Sequence, residues 1–225
     1  MRCVSLNTEK TKTVNIDVKE LGSREVNKRL KSLDETKSGH VELSNPESNH
    51  FLAAGLRKEI EIEIKGSIGY YLGTCMDGPR INVSGNAGWY PGDNLTSGRI
   101  NIEGSAGDGA GQGLYGGQVI VKGNCGSRTG QLMKGGTVIV GGNSGFMTGL
   151  YAFGGRIIVL GNAGEMTGES ILGGTIFVKG EVASLGKNAS SEEPDSREIK
   201  EIDEMLDSYG FEPGENYSKI VPASD

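Results

Sequence analysis

The sequence predicts an all-β protein: a single right-handed parallel β-helix of about seven 19-residue rungs, with helices flanking it on both sides. Three observations lead there. Glycine supplies 38 of the 225 residues, more than twice its usual share of roughly 7%. Of these, 32 fall between Gly66 and Gly180 and recur at a constant interval. Every interval also holds one short run of Ile and Val. With six prolines and no Gly-X-Y period, the glycines signal neither a low-complexity chain nor collagen.

The interval is 19 residues and is never interrupted. One series runs Gly66, Gly85, Gly104, Gly123, Gly142, Gly161 and Gly180; a second runs Gly69, Gly88, Gly107, Gly126, Gly145 and Gly164. A third runs Gly73, Gly92, Gly111, Gly130, Gly149 and Gly168, and Gly-Gly pairs recur from Gly116-Gly117 to Gly173-Gly174. Such a repeat dictates the architecture. Nineteen residues are too few for a strand, a packed helix and a return to register, and glycine breaks each helical stretch. Each unit is therefore one turn of a coil whose strands pair with the next turn. Seven rungs about 4.8 Å apart stack to about 34 Å, and parallel crossovers favour the right hand.

The strands run from Ile62-Glu63-Ile64 to Ile176-Phe177-Val178, with the first and third positions always Ile or Val and hence inward. Ile68, Ala87, Ala106, Cys125, Ser144, Ala163 and Val182 form a small inward column, which makes Cys125 core packing. Met76, Leu95, Leu114, Met133, Ala152 and Ile171 form another apolar stack. Asn86, Asn124, Asn143 and Asn162, with Ser67 and Ser105, read as a turn ladder bonded from rung to rung, Asn also tolerating positive φ. The glycines supply positive φ or close backbone approach. The outward middle position of the strands changes from Glu63, Asn82 and Asn101 to Ile120, Ile139, Ile158 and Phe177. A soluble protein covers such a stripe. Two occupants stand open: a helix of the same chain, with Ser196 to Tyr209 as the candidate, or an interface with another subunit.

Residues 1–59 form an N-terminal strand, helix and cap segment, 60–189 the β-helix, and 190–225 a tail with a helix. In the first part Val14 to Val18 alternates like a strand, and Ser23 caps a helix to about Leu33 with Val26, Leu30 and Leu33 on one face. The stretch Asn45 to Leu56 leads into the first rung and caps it. The net charge is −6. Its excess sits in 190–225, where 3 basic residues face 11 acidic ones, a pattern unlike a nucleic-acid footprint. No apolar run spans a membrane, no signal-peptide h-region follows Met1, and three cysteines without CxxC fit a reducing cytoplasm.

Chemical motifs are present in outline only. Gly111-Gln112-Gly113-Leu114-Tyr115-Gly116 matches GxGxxG, but a strand follows it where a dinucleotide site needs a helix. P-loop and nucleophile-elbow patterns are missing, and the period is not that of calcium-binding nonapeptides. His40 and His50 lie outside the repeat, and His50 reads as structural. Asp77, Asp93, Asp108, Glu165 and Glu169 read as solvated turn carboxylates, and the Thr129, Thr148, Thr167 column as a short ladder. No catalytic residue and no metal site is assigned. The residues describe a rigid binding or assembly element rather than an independent hydrolase or transferase.

The GNAG pieces (Gly85 to Gly88, Gly161 to Gly164) and Met133-Lys134-Gly135-Gly136 resemble the GXGXG β-helix family. That family includes the C-terminal domain of the glutamate synthase large subunit and the β-helix component of formylmethanofuran dehydrogenase. The flanks Ser23-Arg24-Glu25-Val26-Asn27, Asn45-Pro46 through His50 to Gly55-Leu56, Gly66 to Tyr71, and Ala183-Ser184-Leu185-Gly186 resemble stand-alone glutamate synthase domain 3 proteins. The resemblance spans roughly 13–190 and implies a right-handed coil whose matching glycines and asparagines are structural. It implies a non-catalytic subunit of a split glutamate synthase-like complex, beside a glutamine amidotransferase and an FMN, iron–sulfur synthase subunit. FMN and the cluster would lie in a partner, with none in this chain. Such amidotransferases use an N-terminal cysteine; here Cys3 is third, and no such domain follows it. The runner-up is the matching scaffold of a formylmethanofuran dehydrogenase-type complex, or a free binding module. Homo-oligomerisation stays open.

Overall fold

The computed structural model describes residues 13–35, 39–57, 59–212, 214 and 216–224; Cys3 lies outside them. It is a parallel β-solenoid of about seven turns with two helices. The repeat strands are β3 (Glu61–Lys65), β4 (Asp77–Val83), β5 (Ser97–Ile102), β6 (Gln118–Val121), β7 (Thr137–Val140), β8 (Phe153–Val159) and β9 (Gly173–Val178). They pair in parallel and in register, Ile62 to Ile81 to Ile100 to Val119 and onward to Ile176. A second line of parallel bridges joins Ile68, Ala87, Ala106 and Cys125, then Ser144, Ala163 and Val182. The inward Ile, Val, Leu and Met columns form one buried core.

The three glycine series serve different ends. In the first, a Cβ on Gly142 would overlap Asn124 Oδ1. The third has positive φ, and a Cβ on Gly92 (φ +74°) would enter the core against Val119.

The coil extends beyond the repeat at its start. The chain enters through β1 (Thr13–Asp17), α1 (Val18–Glu35) and β2 (His40–Ser44), and β1, β2 and β3 continue the parallel sheet. Residues 45–57, expected to cap the first rung, instead make a rung of their own. Phe51 N–H donates to Tyr70 O at 2.8 Å and Gly55 N–H to Thr74 O at 2.8 Å. The cap is α1. Gly22 (φ +68°) interrupts it just before Ser23, and Val26 and Leu30 are fully buried. Asn27 fastens it, its Nδ2 donating to Phe51 O at 2.6 Å and its Oδ1 accepting from Ala53 N–H at 2.8 Å.

At the other end the tail rejoins the sheet. β10 (Ala189–Glu192), α2 (Ser196–Ser208) and β11 (Ser218–Pro222) follow β9, and the strand order ends β9-β11-β10 with both new pairings antiparallel. Asp195 caps α2, accepting from the N–H groups of Arg197 and Glu198 at 2.8 Å each. Glu198 returns the bond to Asp195 N–H at 2.9 Å. Those amides hold the Asp195 carboxyl below its ordinary pKa.

α2 lies on the apolar stripe. Ile120, Ile139, Ile158 and Phe177 are buried with Ile202, Leu206 and Tyr217 in a second cluster, flanked by Met205, Tyr209 and Phe211. Of the two occupants open to the sequence, the chain's own helix is present, and the four residues offer no exposed interface. Burying each such side chain contributes about 1.5–3 kcal/mol.

Candidate functional site

The side chains that could carry chemistry are largely built into the coil. Cys125 is buried, and burial pushes its thiol up to about 12. Thr129, Thr148 and Thr167 are fully buried and donate to Gly126, Gly145 and Gly164 carbonyls at 2.9–3.1 Å. Their hydroxyls thus close turns from within.

The asparagine ladder runs unbroken up the outside. Ser67 Oγ accepts from Asn86 N–H at 3.0 Å, Asn86 Oδ1 from Ser105 N–H at 2.8 Å, and Ser105 Oγ from Asn124 N–H at 3.1 Å. Asn124, Asn143 and Asn162 accept in turn from Asn143, Asn162 and Glu181. None of the four asparagines has positive φ. That conformation falls instead on Tyr71, Tyr90, Arg128, Met147 and Met166 in one column, and on Cys75, Asn94, Leu132, Tyr151 and Ser170 in another.

Two carboxylates depart from the expectation of solvated turns. Asp93 is buried and accepts from Thr74 Oγ1 at 2.9 Å and Gln112 Nε2 at 3.1 Å. Glu169, also buried, accepts from Lys187 N–H at 2.7 Å and Ser170 Oγ at 3.1 Å. Asp77 accepts from Ser97 Oγ at 2.7 Å, and Asp108 from Ser127 N–H at 2.9 Å. Glu165 is exposed.

His50 accepts from Tyr70 N–H through Nδ1 at 2.9 Å. Its ring begins a stack, His50 to Tyr70 at 4.5 Å and Tyr70 to Trp89 at 4.7 Å between centroids. A parallel stack runs Phe51, Tyr71, Tyr90 at 4.9 and 5.0 Å. Sequence reasoning missed both ladders. Their signal was present, since aromatic residues recur one rung apart at 70 and 89 and at 71 and 90.

Where α2 ends, a cavity of about 320 Å³ is lined by residues including Arg99, Asn101, Glu103, Lys122 and Tyr209. Asn101 Nδ2 donates to Asn82 Oδ1 at 2.8 Å, and Asn82 Nδ2 to Glu63 Oε1 at 2.6 Å. The rung above presents Ile120, which leaves Asn101 Oδ1 buried without a donor; Arg99 Nε is likewise unpartnered. Lys122 donates to Tyr209 O, and Tyr209 to Gln118. Among the described residues no group of three or more His, Cys, Asp or Glu is placed to hold a metal ion. No helix among them is long and apolar enough to cross a membrane.

What this geometry provides is a regular column with ladders of aligned side chains, Ser and Asn in one and aromatic rings in two others. A solved chain of similar fold occurs in the crystal structure of the formyltransferase/hydrolase complex (FhcABCD) from Methylorubrum extorquens in complex with methylofuran. It is 23% identical, with a TM-score of 0.71 and 89% of each chain covered. No curated protein matches the chain. The GXGXG motif model matches residues 9–208, from before β1 to the last turn of α2. A match over that span covers the whole coil and the helix on its strand side: the chain belongs to the GXGXG motif family.

Proposed function

We propose that this chain is a non-catalytic scaffold subunit of a multi-subunit enzyme, holding partner subunits in fixed register along the coil. The observation that carries the reading is the use of its polar ladder side chains: Asn86, Asn124, Asn143 and Asn162 spend their carbonyl oxygens on the next rung's backbone. Membership of the GXGXG family supports it, as does the end-to-end likeness to a chain of a formyltransferase/hydrolase complex. That likeness favours a scaffold of the formylmethanofuran dehydrogenase type, comparable to the β-helix component of that enzyme. A split glutamate synthase-like complex, with amidotransferase and FMN, iron–sulfur subunits, is the second reading. It is favoured by the flanking sequence Ser23 to Asn27, whose Asn27 ties the cap to the coil.

Affinity purification of the tagged chain from its native host tests this. Co-purifying formyltransferase or molybdenum or tungsten subunits support the first reading; an amidotransferase with a flavoprotein supports the second. A chain recovered alone, or one that turns over substrate by itself, overturns the scaffold role.

A further inference from the structure

A scaffold needs surfaces on which other subunits sit, and one side of the coil has the composition of such a surface. Between the third glycine series and the Gly-Gly pairs, one column of side chains is buried in every rung: Leu95, Leu114, Met133, Ala152 and Ile171. The residues on either side of it form two outward columns. One holds Thr96, Tyr115, Lys134, Phe153 and Leu172, the other Asn94, Gly113, Leu132, Tyr151 and Ser170. Tyr115, Phe153 and Leu172 are 55%, 52% and 58% exposed, and Tyr151 48%. At about 4.8 Å per rung, Tyr115 and Leu172 lie about 14 Å apart along the coil. α2 covers the strand side instead. Of the other exposed aromatics, Tyr70, Trp89 and Phe51 are stacked in the ladders, and Phe146 lies in the Trp89 column on another side. Among the described residues neither Tyr151 nor Phe153 has a ring partner.

We propose that this side docks a different protein subunit, one presenting an apolar centre rimmed by carboxylates; the inference rests on the scaffold reading above. The charge pattern selects the occupant. Lys134 is the one charged residue in the ten positions, with its Nζ 4.3 Å from the centre of the Tyr115 ring. The chain as a whole carries −6, yet these ten positions contain no acid; the neighbouring Asp77, Asp93 and Glu169 are half-buried or buried and already accept hydrogen bonds from within the coil. A second copy docked face to face would offer Lys134 no counter-charge, so self-pairing is disfavoured and an acidic rim favoured. Exposed tyrosine and phenylalanine on a rigid backbone are efficient anchors, because little conformational entropy remains to be lost on binding.

The test uses the complex recovered with the tagged chain. A photoreactive benzoylphenylalanine replaces Phe153, or exposed Glu165 on another side as the control. A Phe153→Glu, Leu172→Glu double variant and Lys134→Glu accompany them. The expected result is a crosslink from position 153, and not 165, to an acidic segment of one co-purifying subunit. The double variant should lower recovery of that subunit at least tenfold with its thermal unfolding midpoint unchanged. Lys134→Glu should weaken recovery, and a carboxylate-to-lysine change in the crosslinked segment should restore it. Crosslinks to a second copy or to residues 1–12 of the same chain overturn the proposal, as does undiminished recovery of a stably folded double variant. If the wild-type chain recovers no subunit, the scaffold reading itself fails; an intact complex with the double variant removes only this docking side.

Discussion

At the scale of single residues, the 19-residue interval is a steric contract between rungs. Asn124 Oδ1 reaches Asn143 N–H, and the space it occupies is the space a Cβ on Gly142 would need. Gly142→Ala should therefore cost about 1–3 kcal/mol by overpacking. The penalty should shrink in an Asn124→Ala background, where the obstructing oxygen is gone, and urea unfolding of the two single variants and the double variant reads this coupling. Cys125 gives a pH signature. Burial raises its thiol from 9.0 to about 12, so between those values the native state keeps a proton that the unfolded chain has lost. Its contribution is complete below pH 9 and falls as pH rises, at about 1.4 kcal/mol per unit. Tyr217, raised from 10.0 to about 12 chiefly by burial, acts in the same direction above pH 10. Cys125 by itself should lower the unfolding free energy by about 2 kcal/mol between pH 8 and 10.5. Cys125→Ala, which matches Ala106 and Ala163 in its column, should remove most of that drop.

At the scale of elements, the ends decide whether the coil is closed. α1 covers the first rung, and Asn27 alone bridges to two backbone groups of residues 51 and 53. Asn27→Ala should cost about 1–3 kcal/mol, and should raise the amide exchange rate of Ala53 more than that of Val138 in mid-coil. A uniform change at both amides would refute a local tether. The repeat rungs were legible in sequence because each obeys the same local constraints: Ile or Val inward, glycine where rungs touch, Asn or Ser at the turn. At the ends the strand near Val14, the helix through Val26 and Leu30 and the helix from Ser196 were legible from their own periodicity, but the way each end closes the coil was not, because there the 19-residue pattern breaks. Residues 45–57 make a rung with positive φ at Asn45, Glu47, Ser48, Phe51 and Ala53 and only one glycine among them, so no ruler marks it. The burial of Asp93 and Glu169 was hidden as well, since their partners Gln112 and Lys187 lie a rung away. The apolar stripe showed that something must cover it, while the choice of α2 depended on where the tail returns.

For the whole molecule, the parallel stack raises one problem that the repeat cannot solve. Every rung presents the next with an edge ready to be copied, and a chain of identical turns has no internal reason to stop. β11 answers this by running the other way, pairing Ile220 with Ile176 and Lys219 with Phe177, while β10 beyond it sets Glu192 against Lys219 at 3.7 Å. Removing residues 216–225 should leave β9 as an open parallel edge, and light scattering should then report stronger concentration-dependent self-association than the full chain shows; a truncated chain that associates no more than the full one would refute this. The last strand thus works as punctuation. It turns a sequence that could be read on indefinitely into a body of fixed length, with a definite distance between whatever is fastened along it.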